Sequence, residues 1–158
     1  MSDKNPASGF TLNAAFFQEI KDDHQQLQCV LKRLRELVGN RSAIGNHKRE
    51  FSALLFDLLD QLAFHFTLEE AYGYFEDAVD RAPRFHVQAG KLRSQHSKLY
   101  VMCQEIAEAA AVRITATDAE LQTVIDQYLA FDQAFQSHES AELSLIMDAM
   151  NLDVGVGD

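Results

Sequence analysis

Residues 51–72 read FSALLFDLLDQLAFHFTLEEAY, and this stretch decides the fold. Apolar side chains recur along it three or four residues apart, which is the spacing of one buried face of an α-helix. Toward the end of that face the apolar residues give way to His65 and, one helical turn later, to Glu69. The stretch therefore predicts a long core helix that carries a histidine and a carboxylate on its inward face.

Three further segments show the same apolar spacing, and no stretch alternates as a β-strand does. With only two prolines in the chain, long interior stretches lack strong helix breakers. The predicted helices cover about 11–39, 47–80, 84–113 and 117–150, with a loop at 40–46. The sequence thus predicts an all-α fold, an up-down-up-down antiparallel four-helix bundle over residues 11–150.

The predicted helix boundaries rest on local signals. Residues 11–13 include acceptable N-caps for the first helix, and Pro83 ends the second helix because the residue before a proline avoids helical geometry. Thr117 and Glu120 match a capping box for the fourth helix. Residues 1–10 are expected to be a flexible lead-in and residues 151–158 a tail.

Size and charge limit the possible functions. A chain of 158 residues fits one domain, and 24 acidic against 14 basic residues give a net charge of −10. Such a charge repels phosphate backbones and anionic lipids, which argues against nucleic acid and membranes as partners. No secretory signal or uninterrupted apolar run of roughly 20 residues is seen, so a cytoplasmic location is expected. Cys29 and Cys103 form no CxxC pair and are expected to be reduced thiols.

Each of the other three predicted helices also places a histidine on its apolar face. His24 lies on the first helix and His96 on the third, while the fourth repeats the His-x-x-x-Glu spacing with His138 and Glu142. Measured back from the loops at about 1.5 Å per residue, the four imidazoles fall at similar levels of the bundle. The candidate metal ligands are His24, His65, Glu69, His96, His138 and Glu142.

A lone histidine on an apolar face is more often a core residue than a ligand. The metal hypothesis therefore rests on the expected burial of two glutamates. Glu69 and Glu142 lie on faces without Lys or Arg, and an unpaired buried carboxylate costs several kcal/mol. A bound cation removes that cost. Helical spacing selects Glu69 over Glu70, which is left for a supporting role, and it predicts that Glu139 points away from the centre.

Six nitrogen and oxygen ligands are too many for one tetrahedral zinc, but they suit two octahedral ions that share carboxylates. The segments DDHQQL (22–27), FHFTLEE (64–70), RSQHSKLY (93–100) and HESAE (138–142) resemble the motifs of the hemerythrin-like (HHE cation-binding) family. The resemblance extends over roughly residues 11–150. Ferritin-like bundles match less well, since they use Glu-x-x-His.

The resemblance implies a non-haem pair of irons with an oxo or hydroxo bridge. His24 and His65 would hold one iron and His96 and His138 the other. Glu69 and Glu142 would bridge the two ions.

Two departures from the family pattern argue against reversible oxygen carriage. Tyr100 stands where the oxygen carriers have a second histidine on the third helix, and it either leaves a coordination site open or supplies a phenol. Leu143 stands where they have the fourth-helix carboxylate, so Glu142 must serve instead.

The expected partner is O2, peroxide or nitric oxide at the iron pair. If the protein is an enzyme, peroxide reduction is the expected reaction, with Tyr100 as a proton donor or radical relay. An alternative is an iron-responsive regulatory or binding module whose fold is ordered by metal. A third hypothesis is a plain helical bundle with coincidental histidines. His47 and His86 are expected at the surface.

Overall fold

The computed structural model describes residues 6–71, 83–112 and 117–155, with side chains described within 22–70, 83–112 and 117–148. Every element in these ranges is helical, which confirms the all-α prediction. The elements are α1 Pro6–Gly39, α2 Arg41–Asn46, α3 Lys48–Ala71, a 3-10 turn Pro83–Phe85, α4 His86–Val112 and α5 Asp118–Gly155.

Three boundaries differ from those predicted. Helix α1 begins at Pro6, because a proline fits the first helical position, where its missing N–H would have no partner. Residues 41–46 form the short helix α2 where a loop was predicted. The Asn40 carbonyl accepts hydrogen bonds from Ala43 and Ile44, and the Ile44 side chain is fully buried. Helix α5 continues to Gly155, beyond the predicted end near Met150.

The predicted capping box is confirmed. The Thr117 backbone N–H donates to Glu120 Oε2 at 3.1 Å, and the Glu120 N–H donates to Thr117 Oγ1 at 3.4 Å. Both amides would otherwise lack partners at the start of α5. The predicted course of the second helix from residue 72 to Asp80, with Tyr72 on its inward face, lies outside the described residues.

Helix α3 packs against α1 and α4, and α4 also packs against α5. Along two of these helix pairs, residue numbers fall on one helix as they rise on the other. The contacts that show this are Arg33–Glu50 and Gln26–Gln61 between α1 and α3, and Leu55–Cys103 and Glu70–His96 between α3 and α4. This reversal is what neighbouring antiparallel helices require. The full up-down-up-down order of four helices stays a prediction.

The core consists of the predicted apolar faces. Its largest fully buried side chains are Leu27, Leu31, Leu34, Leu37, Ile44, Phe51, Leu55, Leu58, Leu62, Tyr128, Phe131 and Phe135. Burying one large apolar side chain contributes roughly 1.5–3 kcal/mol before the entropy cost of folding. These layers lie along the helices to one side of the polar residues described below.

Helix α3 is long and apolar enough, by length and composition, to cross a membrane over Lys48–Glu70. Core helices of globular proteins meet the same criterion. Here Phe51, Leu55 and Leu58 pack against the other helices. We therefore interpret α3 as the central core helix that the sequence predicted.

A part-buried ion pair joins α1 to α5. Arg35 donates two hydrogen bonds to Asp132, from Nε at 2.9 Å and from a terminal guanidinium nitrogen at 2.8 Å. The pKa of Arg35 is raised by these hydrogen bonds, which outweigh the effect of burial. Asp132 is 9% exposed and also accepts a hydrogen bond from Gln136.

We expect Arg35→Ala to lower the free energy of unfolding by about 2 kcal/mol. Removing one partner of a buried pair typically costs about 3–5 kcal/mol, and partial exposure of Arg35 reduces that figure. The matched control is Arg33→Ala, two residues earlier, because Arg33 is about as exposed as Arg35 but its partners Glu36 and Glu50 are 52% and 37% exposed, against 9% for Asp132. Urea unfolding of both variants in the same metal state checks this, and equal losses would contradict it.

Candidate metal centre

Two helices each bring a histidine and a glutamate together through their four-residue spacing. On α3, His65 Nε2 lies 2.8 Å from Glu69 Oε1. On α5, His138 Nε2 lies 2.7 Å from Glu142 Oε1. Residues i and i+4 of a helix share one face, and here that face is buried for all four side chains. The arrangement is the one that the His-x-x-x-Glu spacing predicted.

His96 of α4 connects the two pairs. Its Nε2 atom lies 3.1 Å from Glu69 Oε2 and 3.2 Å from Glu142 Oε1. Glu69 thus presents one carboxylate oxygen to His65 and the other to His96. A carboxylate that faces two imidazoles through different oxygens has the geometry of a shared ligand.

The ligand atoms converge in two overlapping groups, each with all its atoms within 4.8 Å of one another. Position 1 consists of Glu69, His96, His138 and Glu142. Position 2 consists of His65, Glu69, Glu139 and Glu142. Glu69 and Glu142 belong to both groups, so they are the two carboxylates that could be shared by a pair of cations.

The outer ring nitrogens of position 1 also have partners. His96 Nδ1 lies 3.1 Å from Glu70 Oε1, and His138 Nδ1 lies 2.8 Å from Gln95 Oε1. Metal-bound histidines usually donate their second ring N–H to such an acceptor, which orients the ring and leaves the other nitrogen for the metal. Glu70 therefore lies at the outer nitrogen of His96, where the predicted supporting role requires it.

An aromatic ring also holds His96. Phe66 stacks on this imidazole with ring centroids 4.2 Å apart and an interplanar angle of 9°. Phe66 also meets His138 edge to face, at 5.9 Å. Below them, the ring of Phe135 continues the contact into the apolar core. One side of position 1 is thus closed by packed rings.

The charges at the centre are strongly coupled. Burial raises the pKa of Glu69, but the close approach of the His65 and His96 imidazoles outweighs this effect and holds that pKa well below its usual range. Burial likewise lowers the pKa of His96, but hydrogen bonds to neighbouring carboxylates, first of all Glu142, raise it to about 10. Without a metal, a proton on His96 offsets part of the negative charge of the buried carboxylates.

The residues fit a bound cation. Glu69 Oε2 and His138 Nε2 are buried and make no well-directed hydrogen bond within the described structure, although the first lies 3.1 Å from His96 Nε2 and the second 2.7 Å from Glu142 Oε1. Leaving such atoms unpaired costs free energy that a metal ion removes. Imidazole and carboxylate donors without thiolate suit iron, manganese or zinc. The residues of both positions could hold metal in this way.

The structure corrects the prediction that His24 is buried. His24 is exposed, with its ring centroid 6.4 Å from that of His65, and it belongs to neither position. Among the described side chains of α1, Leu27, one turn later, is the first that is buried, and the flanking residues Gln25 and Gln26 are exposed as well. His24 thus lies at the rim beside position 2, and its role as a ligand stays a prediction.

The prediction that Glu139 points away from the centre is wrong. Its Oε1 atom lies 3.2 Å from His65 Nε2, and its side chain is 26% exposed. Glu139 is one residue off the buried face of α5, but its long side chain reaches across to α3. Only the position of the neighbouring helix shows this, and the α5 spacing contains no such signal.

The other predicted positions agree with the structure or stay open. His47 and His86 are exposed, and so is Cys29. Cys103 is buried, burial raises the pKa of its thiol to about 12, and it belongs to neither position of the centre. Tyr100 is half-buried one turn after His96, and its role stays a prediction.

Comparison with known families agrees with this centre. The family model of the hemerythrin HHE cation binding domain matches residues 15–138. Comparison with curated proteins and with solved structures gave no match. The matched range includes both the α3 pair and His96, and it ends at His138, four residues before Glu142. Because the match covers well over half of the sequence, the chain belongs to the hemerythrin HHE cation-binding domain family.

Proposed function

We propose that this protein binds two iron ions at the buried centre and engages O2, peroxide or nitric oxide there. The observation that carries the proposal is the overlap of two ligand groups through Glu69 and Glu142. Two metal ions that share two carboxylates need such an overlap, whereas a single ion does not. An oxo or hydroxo bridge between the irons is part of the proposal, as is the antiparallel four-helix arrangement around them.

The protein's own residues have separate tasks in this proposal. His96 and His138 would hold one ion, and His65 would hold the other, with His24 as a further ligand from the rim. Iron supplies redox cycling between its ferrous and ferric states when it is bound. The packed rings beside His96 exclude water from one side, so a small ligand approaches from the side of the partly exposed Glu139.

A second candidate function is an iron-responsive regulatory or binding module. The observation that favours it is that the ligands come from three different helices, α3, α4 and α5. A metal held by all three ties these helices together, so its occupancy could alter a surface that a partner recognises. Both functions use the same metal centre. In the first, the bound iron engages a small ligand. In the second, a partner recognises a surface that changes with metal occupancy.

Metal content and the visible spectrum test the proposal together. We expect protein loaded with ferrous iron and exposed to air to retain about two irons per chain and to show charge-transfer absorption in the near-ultraviolet. His96→Ala should abolish both signals, whereas His86→Ala, an exposed histidine on the same helix, should keep them. Wild-type protein that takes up no iron would overturn the proposal. Reactivity with peroxide or nitric oxide would then separate the first function from the second.

A further inference from the structure

The two positions of the centre differ in their donor atoms. Position 1 offers two imidazoles and two carboxylates, whereas position 2 offers one imidazole and three carboxylates. The difference arises from Glu139, which reaches position 2 from α5, whereas His24 belongs to neither group. Carboxylates suit ions that prefer oxygen, such as Mn²⁺, while imidazole suits iron and zinc. The same chain therefore presents two chemically unequal sites.

The two positions also differ in their exposure to solvent. The His138 side chain of position 1 is 1% exposed, and its outer nitrogen is held by Gln95. Glu139 of position 2 is 26% exposed and begins one residue off the buried face of its helix. A partly exposed carboxylate exchanges with water more readily than a buried ligand whose orientation is fixed by a second hydrogen bond. Position 2 is thus the open side of the centre.

His65 shows how Glu139 is held toward the centre. The Nε2 atom of His65 lies between two carboxylates, at 2.8 Å from Glu69 and 3.2 Å from Glu139. The carboxylate of Glu69 is also directed at position 1, since its second oxygen faces His96. Glu139 has no second contact of this kind in the described part of the structure. Its carboxylate therefore faces position 2 only.

We propose that Glu139 is a metal ligand of position 2 and makes it the weaker, exchangeable and oxygen-preferring position of the pair. This inference rests on the proposed two-metal function and goes beyond it by assigning an unequal occupancy. Position 1 retains its ion when metal is scarce. Position 2 loads last, releases first and accepts Mn²⁺ in place of iron.

Anaerobic metal exchange tests this inference without any measurement of activity. Wild-type protein is loaded with two equivalents of ferrous iron, dialysed against excess Mn²⁺, and assayed for both metals by mass spectrometry. We expect about one iron to remain and about one manganese to replace the other. Glu139→Gln keeps the side-chain shape and should weaken binding of the second ion at least about 10-fold while the first ion stays bound. Circular dichroism confirms that the variant is folded.

Control variants make each outcome decisive. Glu105→Ala removes an exposed carboxylate of α4 and should behave as wild type. A Glu139→Gln protein that binds both ions as wild type does, or that loses both, would overturn the inference. It would also be overturned if His24→Ala, and not Glu139→Gln, released the second ion. Failure of wild-type protein to bind any metal would instead refute the proposed function itself.

Discussion

Replacing Glu69 by glutamine is expected to release both metal ions. Glu69 presents one oxygen to His65 and the other to His96, and it belongs to both positions of the centre. The amide of glutamine keeps the shape of the side chain but brings no negative charge. We expect the affinity for both ions to fall at least about 100-fold, since even residues that only support ligands cost 10–100-fold when they are lost.

The matched control is the neighbouring residue. Glu70→Gln removes a carboxylate that contacts the outer nitrogen of His96 and is itself about half exposed. This variant should keep both ions and lose affinity only moderately. Metal content after gel filtration distinguishes the two variants. Equal iron retention by Glu69→Gln and Glu70→Gln would contradict the bridging role of Glu69.

Removal of metal is expected to have the second largest effect, a loss of stability. A ligand that binds only the folded state stabilises it by about 4 kcal/mol when its free concentration is about a thousand times Kd. The folded chain brings together ligands from α3, α4 and α5, whereas the unfolded chain has no preformed site. Thermal unfolding of metal-free and iron-loaded protein should therefore show a clear rise in Tm with iron.

The Glu69→Gln variant provides the control for this effect. Its unfolding curves with and without iron should coincide, because it cannot hold the ions. The metal-free wild-type protein should still unfold cooperatively, since the apolar layers of the core do not depend on metal. Identical Tm values for metal-free and iron-loaded wild-type protein would contradict the prediction and would weigh most heavily against the iron-responsive alternative.

Helical spacing was sufficient to predict most of the centre. The pairs His65–Glu69 and His138–Glu142 are separated by four residues, and both members must share a face whatever surrounds the helix. His96 interrupts an otherwise apolar face and is buried as expected. Such residues are predictable because the signal lies within a single helix.

The residues that were misjudged depend on a neighbouring helix. His24 continues the apolar spacing of α1, but it is exposed, whereas Leu27, one turn later, is buried. Glu139 is off the buried face of α5, yet α3 packs close enough for its carboxylate to meet His65. Spacing along one helix contains no information on where the next helix ends or on which side it packs.

The boundary errors have a related cause. Residues 41–46 contain glycine and asparagine, which usually indicate a loop, but Ile44 is fully buried and fixes a short helix there. Proline is favoured at the first position of a helix, but Pro6 alone does not show that a helix begins there. Local residue preferences give both readings, and tertiary packing decides between them.

The ring of Phe66 lies flat against the imidazole of His96, while Glu70 contacts the outer nitrogen of that imidazole. Two separate contacts thus restrain one side chain, one against tilting and the other against rotation about its bond to the backbone. Little conformational entropy remains for His96 to lose when an ion arrives. We therefore expect the binding of an ion at position 1 to need little rearrangement of this side chain.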